Sequence, residues 1–126
     1  MIYKTKEFVS LTKKESLTDD DLIDACKEMA EGLYDADLGG NVYKKRIAAG
    51  AGSRGKSAGY RTIIGANIGD KYFFLYAFAK KAKANINAKE KLALKELAKE
   101  ILSFTQAEIE ELVEDGELLI VGDGYE

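Results

Sequence analysis

The sequence predicts an α+β fold, and three observations carry that expectation. Apolar residues recur at helical spacing toward both ends of the chain. The middle third switches to the alternation of strands. Paired capping signals mark where the helices begin.

Taken in order, residues 2–5 can open as a short strand, and residues 6–15 read as a helix with Phe8, Val9 and Leu11 apolar. The next helix has Thr18 as N-cap and Asp21 in the capping-box position. Asp19, Asp20 and Asp21 also suit the positive end of the helix dipole. Leu22, Ile23, Cys26, Met29, Ala30 and Leu33 form its buried stripe, and Gly32 marks its end. Together the two helices read as an antiparallel hairpin. Gly39-Gly40 breaks the chain. Residues 42–47 then alternate as a strand, with Val42, Lys44 and Arg46 on one side and Tyr43, Lys45 and Ile47 on the other.

Residues 48–59 are mostly Gly, Ala and Ser, with Arg54 and Lys56, and read as a mobile basic loop. Strands follow at 60–66 and 71–79, joined by a turn at 67–70. The second of these places Tyr72, Phe74, Tyr76 and Phe78 on one face and Phe73, Leu75 and Ala77 on the other. That pattern suits a central strand. Asn87 with Glu90 caps a helix over 88–102, and Thr105 with Glu108 caps one over 106–114. Gly116 ends the last helix, and a short strand is expected over 117–121.

The chain has 126 residues, which suits one domain, 1–126, with a core over 1–103 and a C-terminal helix and tail over 104–126. It contains no histidine. That excludes Ser-His-Asp triads, Cys-His dyads and ordinary zinc enzymes. Cys26 is the only cysteine and reads as a packing residue, so there is neither an internal disulfide nor a cysteine metal cluster. No metal or organic cofactor is implied. The opening Met1-Ile2-Tyr3-Lys4 has no signal-peptide pattern and no apolar run is long enough for a membrane span, so a cytoplasmic protein is expected.

Net charge is −3, but its distribution matters more than its sum. Residues 16–38 carry one Lys and eight acids, and residues 92–126 carry two Lys and ten acids. Between them, residues 39–91 carry twelve Lys or Arg and two acids. Screening confines each patch to about 8–10 Å, so the middle third can meet a polyanion despite the acidic total.

Three stretches carry a family resemblance. Asp35-Ala-Asp-Leu-Gly-Gly40 leads into Val42-Tyr-Lys-Lys-Arg-Ile47, Gly55-Lys-Ser-Ala-Gly-Tyr-Arg61 follows, and Tyr72-Phe-Phe-Leu-Tyr-Ala-Phe-Ala-Lys80 closes the set. Together they resemble the HigB-like RelE branch of the RelE/ParE superfamily, toxins of type II toxin–antitoxin systems. The resemblance implies a small curved antiparallel sheet with a helical hairpin packed on one face. It implies a metal-independent, ribosome-dependent endoribonuclease, an mRNA interferase that inhibits translation and is neutralised by a cognate antitoxin. Relatives on the ParE pattern share the fold and poison DNA gyrase instead.

Carried over position by position, the resemblance assigns catalysis to Lys44, Arg46, Arg61 and Lys81. Lys81 stands where an Arg is usual, and Asn87 stands where the best-known members have a Tyr. Lys45, Arg54, Lys56, Tyr60, Lys80 and Lys83 are expected to bind RNA, with Tyr60, Tyr72 and Tyr76 available to stack on bases. The chemistry is coherent without the family. Planar, permanently charged Arg forks suit a phosphate, and a Lys among other cations can carry a proton.

The same residues have a plainer reading. Lys44, Lys45 and Arg46 can coat an exposed strand, Arg61 can be an ion-pair partner, Lys80, Lys81 and Lys83 can form a solvated turn, and strands favour aromatics anyway. The glycine-rich loop is not a nucleotide cradle, because a strand and not a helix follows it. A non-toxic interaction module completes the alternatives.

Overall fold

The computed structural model describes residues 1–13, 17–47, 59–79 and 82–122. Strand β1 (Ile2–Thr5) leads into helices α1 (Lys6–Leu11) and α2 (Asp19–Ala30). Strands β2 (Ala36–Gly39), β3 (Val42–Ile47), β4 (Tyr60–Asn67) and β5 (Lys71–Ala79) follow, then helices α3 (Ala88–Leu102) and α4 (Gln106–Glu114) and strand β6 (Leu118–Ile120). One six-stranded sheet runs in the order β2-β3-β4-β5-β1-β6. Its pairs are antiparallel except β1 with β5, which is parallel.

Helices cover both faces, which is why β5 is apolar on both sides. On one face Phe8 of α1 and Leu22, Ala25, Cys26 and Met29 of α2 pack on Ile47, Tyr60, Ile64, Ala66, Tyr72, Phe74 and Ala77. On the other, Leu94, Ala98 and Ile101 of α3 and Ile109 of α4 pack on Tyr3, Val42, Ile63, Phe73, Leu75 and Phe78. All three expected capping boxes form, at Thr18–Asp21, Asn87–Glu90 and Thr105–Glu108.

Three expectations are corrected. Helix α1 ends at Leu11 rather than running on to residue 15. The Thr12 hydroxyl donates to the Phe8 carbonyl at 2.9 Å, the local competition that makes Thr a poor helix continuer. Strand β2 was not expected at all, because Asp35-Ala-Asp-Leu lacks strand formers. The chain reverses at Gly40-Asn41, with φ of 64° and 65°, and pairs Gly39 with Val42. Two central residues with positive φ are what a tight type I′ hairpin turn requires, so the glycines turn the sheet rather than interrupt it.

The third correction lies in β5. Ile63 pairs with Tyr76 and Ile64 with Phe74, so Leu75 is an extra residue and the strand is bulged. Alternation therefore shifts at that point. Tyr72, Phe74 and Ala77 face α1 and α2, whereas Phe73, Leu75, Tyr76 and Phe78 face the α3 side.

Candidate RNA-phosphate site

Strand alternation puts Lys44 and Arg46 on the α3 side of β3, and Arg61 on the same side of β4. The ladder registers them in two rows. Lys44 pairs with Ile63, which pairs with Tyr76; Arg46 pairs with Arg61, which pairs with Phe78. Opposed residues on neighbouring strands have Cβ atoms about 4.5–5.5 Å apart, so two guanidinium-bearing chains start side by side. Arg46 is exposed, and Lys44 and Arg61 are half-buried. The Arg61 Nη1 atom is buried and has no hydrogen-bond partner among the described residues. Burying a donor without a partner is costly, and an anionic oxygen would relieve it.

Lys83 and Asn85, just ahead of α3, close one side of this group. Lys44 Nζ donates to Asn85 Oδ1 at 3.4 Å. Lys83 Nζ lies 5.6 Å from the Tyr76 ring centre and 5.7 Å from that of Phe78, and donates to Glu90 Oε2 at 2.6 Å. The Tyr76 hydroxyl donates to the same Glu90 oxygen at 3.1 Å. The Glu90 hydrogen bond pushes the Lys83 ammonium above its ordinary range. In return the Lys83 hydrogen bond holds the Glu90 carboxyl below its own. Lys83 is therefore a fixed cation at neutral pH, not a base. On the other side, Arg46 and Ile47 border a hollow of about 150 Å³ with Asp21, Asp24 and Glu28 of α2, so acids flank the row.

Several expected contacts are not part of this group. Lys45 points to the opposite face, is buried, and pairs with Glu28 Oε1 at 2.6 Å. Tyr60 is buried on that face in the α1–α2 core, as is Tyr72, whose hydroxyl accepts from the Gly69 N–H at 2.8 Å. Burial leaves these three side chains little surface to offer RNA. Of the three tyrosines considered for stacking, only Tyr76 faces the cations, and the bulge puts it there. Arg54, Lys56, Lys80 and Lys81 lie outside the described residues. Asn85 and Glu90 join the site without having been expected to. Their only prior signal was the cap at Glu90, which gave no hint of Lys83.

A larger groove of about 540 Å³ opens between the end of β1, α3 and α4, lined by Leu75, Leu94, Leu97, Ile101, Phe104 and Leu112. Its one cation, Lys6, pairs with Glu117 at 3.2 Å. It is an apolar groove, unlike the polar row beside it.

The family described as RelE toxin of the RelE/RelB toxin–antitoxin system has a model that matches residues 1–121. A search of the curated proteins returned no match. Among the described residues no helix is long and apolar enough to cross a membrane.

Proposed function

Because the chain belongs to the RelE toxin family of toxin–antitoxin systems, we propose that it is a ribosome-dependent endoribonuclease of the HigB-like branch. It cuts messenger RNA, inhibits translation and is neutralised by the cognate antitoxin that membership in the family implies. A protein that acts on translating ribosomes would do so in the cytoplasm.

RNA carries its own nucleophile. The 2′-oxygen forms a bond to the adjacent phosphorus, the bond from phosphorus to the 5′-oxygen breaks, and a cyclic phosphate and a 5′-hydroxyl result. The 2′-hydroxyl must give up a proton, the phosphorane gains negative charge, and the leaving oxygen needs a proton. Arg46 and Arg61 take the charge with fixed, planar donors, usually the largest contribution to such catalysis. Lys44 and Lys81 carry the protons, one accepting and the other donating, each worth about 10² to 10⁴-fold when positioned. The ribosome holds the messenger in line, which supplies the geometry that a small open site lacks.

One observation carries this reading: Arg46 and Arg61 are opposed on the same face, and Arg61 keeps a buried donor unspent among the described residues. Like charges set directly across a sheet destabilise it, and an RNA phosphate offsets that cost. The test is translation of a defined messenger with purified ribosomes, with primer extension to locate cuts. Discrete cleavage that depends on the protein is expected. Intact messenger combined with loss of gyrase supercoiling would overturn the reading in favour of a gyrase poison.

A further inference from the structure

Glu90 does two jobs with one carboxylate. Its Oε1 accepts from the Asn87 N–H at 2.9 Å and so closes the N-terminus of α3. Its Oε2 accepts from Lys83 at 2.6 Å and from the Tyr76 hydroxyl at 3.1 Å. Lys83 also reaches the Tyr76 hydroxyl at 3.5 Å, so the three groups form a closed triangle. The triangle is partly shielded, with the Lys83 and Glu90 side chains 32 % and 28 % exposed.

A helix cap needs only an acceptor, and Gln serves in that position as well as Glu. The second oxygen is therefore not required for capping. It holds a cation and a phenol that both stand on the face of Lys44, Arg46 and Arg61, Tyr76 through the Leu75 bulge and Lys83 over the Tyr76 and Phe78 rings. An unanchored Lys chain samples many rotamers, and an exposed one loses that freedom on each binding event. Fixing it beforehand places the cation and the hydroxyl before RNA arrives.

We propose that Glu90 is a positioning residue of the RNA site, which holds Lys83 and the Tyr76 hydroxyl so that both meet the ribose–phosphate backbone beside Arg61. This inference rests on the endoribonuclease reading. It gives the expected Lys83 contact a fixed place, turns Tyr76 from a base platform into a backbone contact through its hydroxyl, and makes the α3 cap the element that aligns both.

Glu90→Gln separates the two jobs, because it keeps an acceptor for Asn87 and removes the charge that holds Lys83. Tyr76→Phe removes only the hydroxyl and leaves the cap untouched. Both are compared with wild type and Arg61→Ala in single-turnover cleavage of ribosome-bound messenger, reading the rate at saturating protein and the half-saturating concentration separately. Both variants are expected to lower the saturating rate by about tenfold, a cost typical of a slightly misplaced group. Half-saturation should hardly move, since Glu90→Gln also frees a cation for RNA. A wild-type rate in Glu90→Gln, with Arg61→Ala inactive, overturns the positioning role and leaves the ribonuclease reading standing. So does a slow, thermally weakened Glu90→Gln whose defect Tyr76→Phe does not share, since that marks Glu90 as a cap alone. If the wild type itself makes no cuts, both readings fall together.

Discussion

Arg46 and Arg61 face each other across the β3–β4 pair, in register and on the side of the sheet that α3 covers. Like charges opposed across a sheet repel, and no ion pair joins either guanidinium to an acid among the described residues. Removing one member should therefore help stability and harm function. Arg61→Ala is expected to leave the melting temperature unchanged or raise it, by a relief of about 0.2–1 kcal/mol. Messenger cleavage should fall by about 10² to 10³-fold, the cost of one charge-stabilising donor. Thermal denaturation beside primer extension checks both.

Lys45, the next residue along β3, makes the opposite prediction. Its ammonium is buried against α2 and paired with Glu28, whose own side chain is half exposed. Glu28→Ala strands a buried cation and is expected to cost about 1–3 kcal/mol, less than a fully buried pair because water reaches the carboxylate. Lys45→Met removes both the charge and its desolvation and should fold with near-wild-type stability. Urea denaturation of the two variants separates these outcomes.

Asp19 ties three elements together. Its carboxylate accepts from Lys4 Nζ at 3.0 Å and from the Gly122 N–H at 3.1 Å, joining α2 to β1 and to the chain beyond β6. Burial pushes the Asp19 carboxyl upward, but the Gly122 and Lys4 hydrogen bonds outweigh it and hold the group below its ordinary 3.8. A depressed folded value means the stabilisation is present in full above 3.8 and is lost as pH falls through the folded value. Asp19→Asn should flatten the acid limb of a stability-against-pH curve below that point. An acid limb identical to wild type would contradict the assignment.

Gly65 sets how closely α3 approaches the sheet. A Cβ there would stand 3.1 Å from the Ala98 Cβ and 3.3 Å from Leu75 Cδ1. Gly65→Ala should cost about 1–3 kcal/mol by overpacking. Because α3 carries Glu90, the same variant should also slow cleavage, and Ala98→Gly should restore part of both losses.

Cys26 sits on the buried stripe of α2, and burial pushes its thiol up to about 12. The thiol should resist alkylation at pH 8 in the native protein and react fully in denaturant. Rapid native labelling would contradict the packing of α2 on the sheet.

The features legible in the sequence were those that depend on neighbours along the chain. The alternation of Val42 to Ile47 gave the correct faces for Lys44, Arg46 and Lys45. The capping boxes placed the starts of α2, α3 and α4 to the residue, although α2 ends at Ala30, before Gly32, and leaves Leu33 exposed. What stayed hidden depends on partners far off in sequence. The Leu75 bulge is a mismatch between β4 and β5, so nothing within β5 announces that Tyr76 changes side. That Lys45 is buried follows from where α2 lies, not from the Lys-Lys-Arg run. Strand β2 could have been found, because Gly40-Asn41 is a hairpin dipeptide beside an alternating run.

The most direct test of the central claim compares two neighbouring sites from opposite faces of the sheet. Ribosomes programmed with a defined messenger are incubated with wild type, Arg61→Ala and Lys45→Met, and cuts are mapped by primer extension. If the α3-side cations are the phosphate site, Lys45→Met cuts as wild type does and Arg61→Ala leaves the messenger whole. Undiminished cutting by Arg61→Ala, or its loss in a well-folded Lys45→Met, would contradict the account.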